Sequence, residues 1–200
     1  ASEKSPLELS FIPIHPGDIL SYGGYHFEVK LLKGHTFGQC GLYEPEKKLM
    51  FVGDQLMTTI VPIVGTQETD LGMLKCYLDS LGDLKHNYKD CYFLPCHYGE
   101  IRNVEKEVNR IILGYLEKCE IMKHVLEEAG TALTTRDIGV RTYGRSQGPP
   151  DYAHFASCTY IWAKTFSCME YMMGEGFVER SERDGIIYWK APSIHFENNR

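Results

Sequence analysis

Three short stretches of this 200-residue chain each combine an apolar run, glycine and a side chain of the kind that ligates metals: "GHTFGQCG" at 34–41, "FVGDQL" at 51–56 and "LPCHYG" at 94–99. Singly, each is weak, because a lone loop histidine usually meets solvent or a hydrogen-bond partner. Together they constrain the fold more than any bulk property does. His35, Asp54 and His97 each follow an apolar strand-like run, and strand ends are where α/β sheets place their chemistry. Gly34, Gly38, Gly53 and Gly99 flank them, permitting tight turns and close backbone approach. Thr36 is expected to hold its loop with a hydroxyl-to-backbone bond. Imidazole and carboxylate suit zinc, and admit iron or manganese.

The rest of the chain divides at about residue 100. Residues 1–100 read as strands with one helix, and 101–200 as mostly helical. "LSFIPI" at 9–14 reads as a strand, "ILSYGGYHFEVKLL" as a hairpin turning at Gly23-Gly24, and "GLYEPEKKLMFVGD" as a second hairpin with its tip at "EPEKK". The run Leu49 to Val52 predicts a strand buried on both faces. Leu71, Leu74, Leu78 and Leu81 predict a helix over 68–82, and "CYFLP" another strand. A long amphipathic helix is predicted over about 101–129 with Gly130 as its cap. Thr134 and Asp137 form a capping-box-like start to a short helix. A loop at 144–151, a helix over about 153–173 and a hairpin turning at Asp184-Gly185 follow. The order helix, short helix, helix, hairpin predicts a winged-helix-like domain.

Composition narrows the function classes. The net charge is −6, which argues against a nucleic-acid surface, since phosphate contacts need clustered Lys and Arg. No apolar run is long enough to span a bilayer. The N-terminal "ASEKSPLELS" has neither the basic nor the apolar region of a signal peptide. The seven cysteines (Cys40, Cys76, Cys91, Cys96, Cys119, Cys158 and Cys168) are odd in number and none are spaced CxxC. Reduced thiols and a cytoplasmic location are therefore expected.

The order of these motifs resembles the metallo-β-lactamase fold superfamily. "GHTFG" is similar to its third metal motif, "FVGDQL" to its fourth and "LPCHYG" to its fifth. "GDQLMTTIVPIVG" and the winged-helix-like tail resemble the branch of β-lactamase-like protein 2 and its hydroxyacylglutathione-hydrolase-like relatives. The resemblance runs from about residue 9 to 191. It implies an αββα sandwich and two divalent metals, zinc foremost, that activate water to cleave an ester, thioester, lactone or phosphodiester. It implies that His35 serves one metal, His97 the other, and that Asp54 bridges them. Two departures stand out. Gln39 occupies a position where relatives often carry histidine, and Cys96 replaces the usual glycine before the last histidine.

The family's first signature, His-x-His-x-Asp-His, is absent: no two of the eight histidines are one residue apart, and no Asp-His pair occurs. By the resemblance, the chain begins midway through the sandwich. The expectation is a fragment whose exposed sheet is covered by the missing N-terminal half or by a second copy. This chain alone is expected to bind no metal, or one weakly, and to be inactive, and the substrate is expected to be a small molecule. Two other readings compete. A nucleic-acid-binding winged helix would use 152–176 as its recognition element, but that stretch carries Lys164, no Arg, and Glu170 and Glu175. A non-catalytic relative is disfavoured by the joint presence of His35, Asp54 and His97. Tyr98, Tyr152 and His154 are placed near the site mouth by the related branch, and His15, His26, His86, His124 and His195 read as structural or solvated.

Overall fold

The computed structural model describes residues 11–64, 72–144 and 152–192, and the side chains of 152–158 lie outside that description. Its first part is a five-stranded sheet in the order β1-β2-β3-β4-β5, with β1 Ile19–Tyr22, β2 Tyr25–Leu31, β3 Cys40–Glu44, β4 Leu49–Gly53 and β5 Tyr92–Pro95. The first four form an antiparallel meander. β5 pairs parallel with β4, reached by way of helix α1 (Met73–Asn87). The expected hairpins are present. Tyr22 pairs with Tyr25 across Gly23-Gly24, and Glu44 pairs with Leu49.

This topology brings three loops to one end of the sheet. β2 and β4 run the same way, so the loop from β2 to β3 sits beside the end of β4. The parallel pairing of Gly53 with Pro95 sets the end of β5 there as well.

The second part begins with α2 (Val104–Ala129), whose first turn is capped by the Asn103 side chain accepting from the Lys106 N–H. Gly130 closes it in the left-handed conformation expected of a C-cap. Strand β6 (Leu133–Thr134) leads to α3 (Thr135–Tyr143). There the Asp137 N–H donates to Thr134 Oγ1 at 3.1 Å, as the capping pattern predicts. Helix α4 (Tyr152–Gly174) and hairpin β7 (Glu179–Arg183) and β8 (Ile186–Lys190) complete a small sheet in the order β6-β8-β7. One buried cluster runs from Leu32 and Met50 through Tyr77, Phe93 and Tyr115 to Trp189, so both parts share a core.

Three expectations are corrected. Residues 11–14 form no strand, and Leu9 and Ser10 lie outside the described residues. β1 is the edge strand of the described sheet, and Phe11 and Ile12 stand exposed rather than paired. Helix α1 covers 73–87 rather than 68–82. Leu74, Tyr77, Leu81 and Leu84 carry the buried stripe one turn further, and 68–71, including Leu71, lie outside the described residues. Finally, β4 is buried on one face only. Met50 and Val52 are fully buried, but Phe51 is 40% exposed.

The helices cover only the Met50 face. On the other, Phe27 stacks with Tyr25 and meets Phe51 edge-on, each pair at 5.8 Å between ring centroids. Such aromatic pairs contribute about 0.5–1.5 kcal/mol beyond their area, but they leave an open apolar surface. The loop at 145–151 lies outside the described residues. Among the described residues no helix is long and apolar enough to cross a membrane.

Candidate metal centre

β4 ends at Gly53, whose φ of +56° lies in the left-handed region. The turn releases Asp54 toward the adjoining loops. A β-carbon at Gly53 would sit 2.7 Å from Gln39 Nε2, which donates to the Val52 carbonyl at 2.8 Å. Gln39, which stands where the resemblance often places histidine, thus ties the β2–β3 loop to the end of β4. The loop itself closes through the Gly34 N–H donating to the Thr36 carbonyl at 3.2 Å, a backbone bond where a hydroxyl bond was expected. Gly34 has no room for a side chain, since Tyr77 packs against it.

The structure brings His35, Asp54 and His97 together. His35 Nε2 lies 3.6 Å from Asp54 Oδ2, and His97 Nε2 lies 3.6 Å from Asp54 Oδ1. Each imidazole faces a different carboxylate oxygen. Among the described residues, no group of three or more His, Cys, Asp or Glu side chains is arranged around a single ion. The donors instead form two His–carboxylate pairs that share Asp54.

Two observations fit this donor set to divalent ions. Asp54 Oδ1 is buried and has no hydrogen-bond partner, an expensive state for a carboxylate oxygen unless something else meets it. The N···O separations are also right. Two donors each about 2.1 Å from a tetrahedral zinc stand about 3.4 Å apart, close to the spacing found.

His35 is held on its far side. Its Nδ1 lies 2.8 Å from the Ile63 carbonyl. A carbonyl only accepts, so Nδ1 donates to it, and Nε2 is the nitrogen left facing Asp54. The His35 backbone N–H points to Gln55 Oε1 at 3.5 Å. Gln55 is fully buried, donates to the Lys33 carbonyl and to Ser80 Oγ, and its own carbonyl accepts from the Tyr77 hydroxyl at 2.8 Å. Gln55 was not singled out from sequence, although a glutamine beside the aspartate of an otherwise apolar run was a usable signal.

The His97 loop is more open. Its side chain is 60% exposed, against 22% for His35 and 29% for Asp54. The Cys96 N–H donates to the Gly53 carbonyl at 3.1 Å, linking the two strand ends, while Cys96 itself is exposed. Tyr98 adopts φ +68°, rare and strained for a side chain of its size, and its carbonyl accepts from Thr58 Oγ1 at 3.1 Å. Side chains of Tyr152 and His154 lie outside the described residues.

No family model matches the chain. It is 50% identical over 40 residues to hydroxyacylglutathione hydrolase GloC of Haemophilus influenzae, a match covering 20% of this chain and 19% of that protein. The fold is similar to a metallo-beta-lactamase family protein from Thermus thermophilus, with a TM-score of 0.76 and 22% identity over 92% of this chain. A beta-lactamase domain protein from Burkholderia ambifaria gives the same TM-score, with 19% identity over 92% of this chain. The chain spans about half the length of these solved structures, 55% and 53% respectively. It therefore has the fold of part of a metallo-beta-lactamase family protein.

Proposed function

We propose that this chain forms the C-terminal part of a binuclear metal-dependent hydrolase, with His35, Asp54 and His97 as its share of the metal ligands. The observation that carries this reading is the placement of two imidazole Nε2 atoms, each 3.6 Å from a different oxygen of Asp54. When bound, two divalent ions supply Lewis-acid activation of water and of a substrate oxygen. Zinc is the first choice for this donor set, with iron and manganese also admitted.

The chain's own residues divide the work. Asp54 presents one oxygen toward each histidine. His35 keeps its proton on Nδ1 against the Ile63 carbonyl, leaving Nε2 as a ligand. His97 presents its ring from the exposed rim. One histidine and one shared carboxylate per ion fall short of the three protein ligands of a catalytic zinc. The chain alone accordingly binds at most one ion weakly and is inactive. The missing ligands come from an N-terminal half packed on the open face of Phe27 and Phe51, a face that a second copy would otherwise cover. The substrate is a small ester, thioester, lactone or phosphodiester, and the setting is cytoplasmic.

The part beyond about residue 100 is read as a winged-helix-like cover rather than a nucleic-acid reader. Lys164, the lysine of α4, is buried with its amine 5.0 Å from the Tyr115 ring centroid. In the wing, Lys190 pairs with Glu179 at 2.8 Å, and Arg183 lies over the Tyr188 ring. Each of these cations already has a partner within the chain.

The test is hydrolysis of thioester and phosphodiester substrates in zinc. The expected result is no turnover by the chain alone and turnover when a polypeptide carrying the His-x-His-x-Asp-His half is added. Strong turnover by the chain alone would overturn the reading.

A further inference from the structure

Residues 57–63, "MTTIVPI", follow the Asp54 turn and belong to neither helix nor strand. Backbone carbonyls outside regular structure still need partners. Here side chains supply them, largely from the helical part. Arg110 Nη2 donates to the Met57 carbonyl at 2.6 Å and to the Ile60 carbonyl at 3.2 Å. The Tyr160 hydroxyl donates to the Val61 carbonyl at 3.0 Å, and the Tyr115 hydroxyl to the Pro62 carbonyl at 2.7 Å. The next carbonyl, Ile63, accepts from His35 Nδ1. Three consecutive carbonyls thus end on Tyr160, Tyr115 and His35.

The clamp is stiff at both ends. Glu107 Oε2 accepts from Arg110 Nε at 2.8 Å and aims the guanidinium. α2 packs against the segment at Gly114, where a β-carbon would lie in ordinary contact with Val61 Cγ2 at 3.4 Å. Pro62 fixes its own φ and restricts Val61. With the two preceding carbonyls held, the Ile63 peptide has little freedom to turn away from His35.

The geometry points to Tyr115 and Tyr160, supported by Arg110, as positioning residues for His35. Through the Ile63 carbonyl they decide which imidazole nitrogen keeps the proton and which faces Asp54. The consequence for metal rests on the reading of His35 as a ligand, whereas the positioning itself does not. α2 and α4 would thereby set the affinity of a site on the sheet.

The experiment uses the metal-free chain and long-range nitrogen–proton NMR correlations of the His35 ring. Wild type should show a single form protonated at Nδ1. Tyr160→Phe and Tyr115→Phe should each raise the Nε2-protonated form to a comparable population. Tyr143→Phe is the control, because its buried hydroxyl has no hydrogen-bond partner, and it should leave His35 unchanged. Tyr160 is 39% exposed, so its variant keeps the fold even if Tyr115→Phe does not. An unchanged tautomer in folded Tyr160→Phe and Tyr115→Phe overturns the positioning.

Cobalt titration is the second arm. Loss of an outer partner typically weakens metal binding about tenfold or more, and about tenfold is expected in both variants. If wild type and both variants bind cobalt equally tightly, the consequence for metal is overturned, and the tautomer still decides the positioning.

Discussion

The two histidine arms of the site are built differently. His35 stands on the core side, with its ring, its backbone and the Gln55 beside it all engaged. His97 stands on an exposed loop, and its ring has no hydrogen-bond partner among the described residues apart from its approach to Asp54. On the proposed metal reading, one ligand is aimed before any ion arrives, and the other must be ordered when it does. A preorganised donor gives up less freedom on binding, so the His35 side is the natural first site.

Asp54→Ala breaks the comparison outright, because both arms depend on its two oxygens. Cobalt or zinc binding should fall below detection, while metal-free stability should hold or rise slightly, since a buried oxygen without a partner is removed. Calorimetric titration and thermal unfolding read both. Retained binding would mean that Asp54 is not the shared ligand. Next in size is the contrast between His35→Ala and His97→Ala. The first should lower affinity at the first site about a hundredfold and the second only about tenfold or less. Equal losses would remove the distinction between the arms.

The arms differ in how far sequence revealed them. The three ligand-type residues were visible because each follows an apolar run beside glycine. Their adjacency follows from the parallel pairing of β4 with β5, which the long stretch between Gly53 and Tyr92 leaves open until the chain is folded. Local features were also legible: the Gly23-Gly24 and Asp184-Gly185 turns, the Thr134 cap and Gly130 all depend on neighbours within a few positions. Features that depend on distant partners were not. The Leu49-to-Val52 run looks buried on both faces, because hydrophobicity does not say that one face of a sheet lacks a covering layer. Tyr115 falls on the apolar stripe of α2 and reads as packing, which it is, but its hydroxyl reaches Pro62 across 53 residues of chain. Gln39 looks inert until the Val52 carbonyl is seen beside it.

Glycines on the two arms sharpen the contrast at smaller scale. Gly53→Ala forces a β-carbon into the left-handed region and displaces Gln39 from Val52. The expected cost is about 2 kcal/mol, from the backbone penalty plus a lost hydrogen bond. Gly99 has φ +80° with nothing within 4 Å of where a β-carbon would be. Gly99→Ala should therefore cost only the backbone term, about 1 kcal/mol. Urea unfolding of the metal-free variants separates the two. Equal costs would show that the Gln39 contact does not hold the β4 end in place.

Tyr98→Asn asks the same question of strain rather than space. Tyr98 is exposed yet sits at φ +68° directly after His97. Asparagine tolerates that conformation better than a bulky ring does. Relief of the backbone should stabilise the chain by about 0.5 kcal/mol, offset in part by the lost ring contact with His97 at 6.0 Å. If the strain is simply tolerated on an open loop, metal affinity will not change. If it aims His97, cobalt affinity on the His97 side, measured with a polypeptide carrying the His-x-His-x-Asp-His half added, will fall even as the unfolding midpoint of the chain rises. That opposite movement would make the His97 loop a second positioned arm, and the asymmetry between the arms would become one of timing rather than of kind.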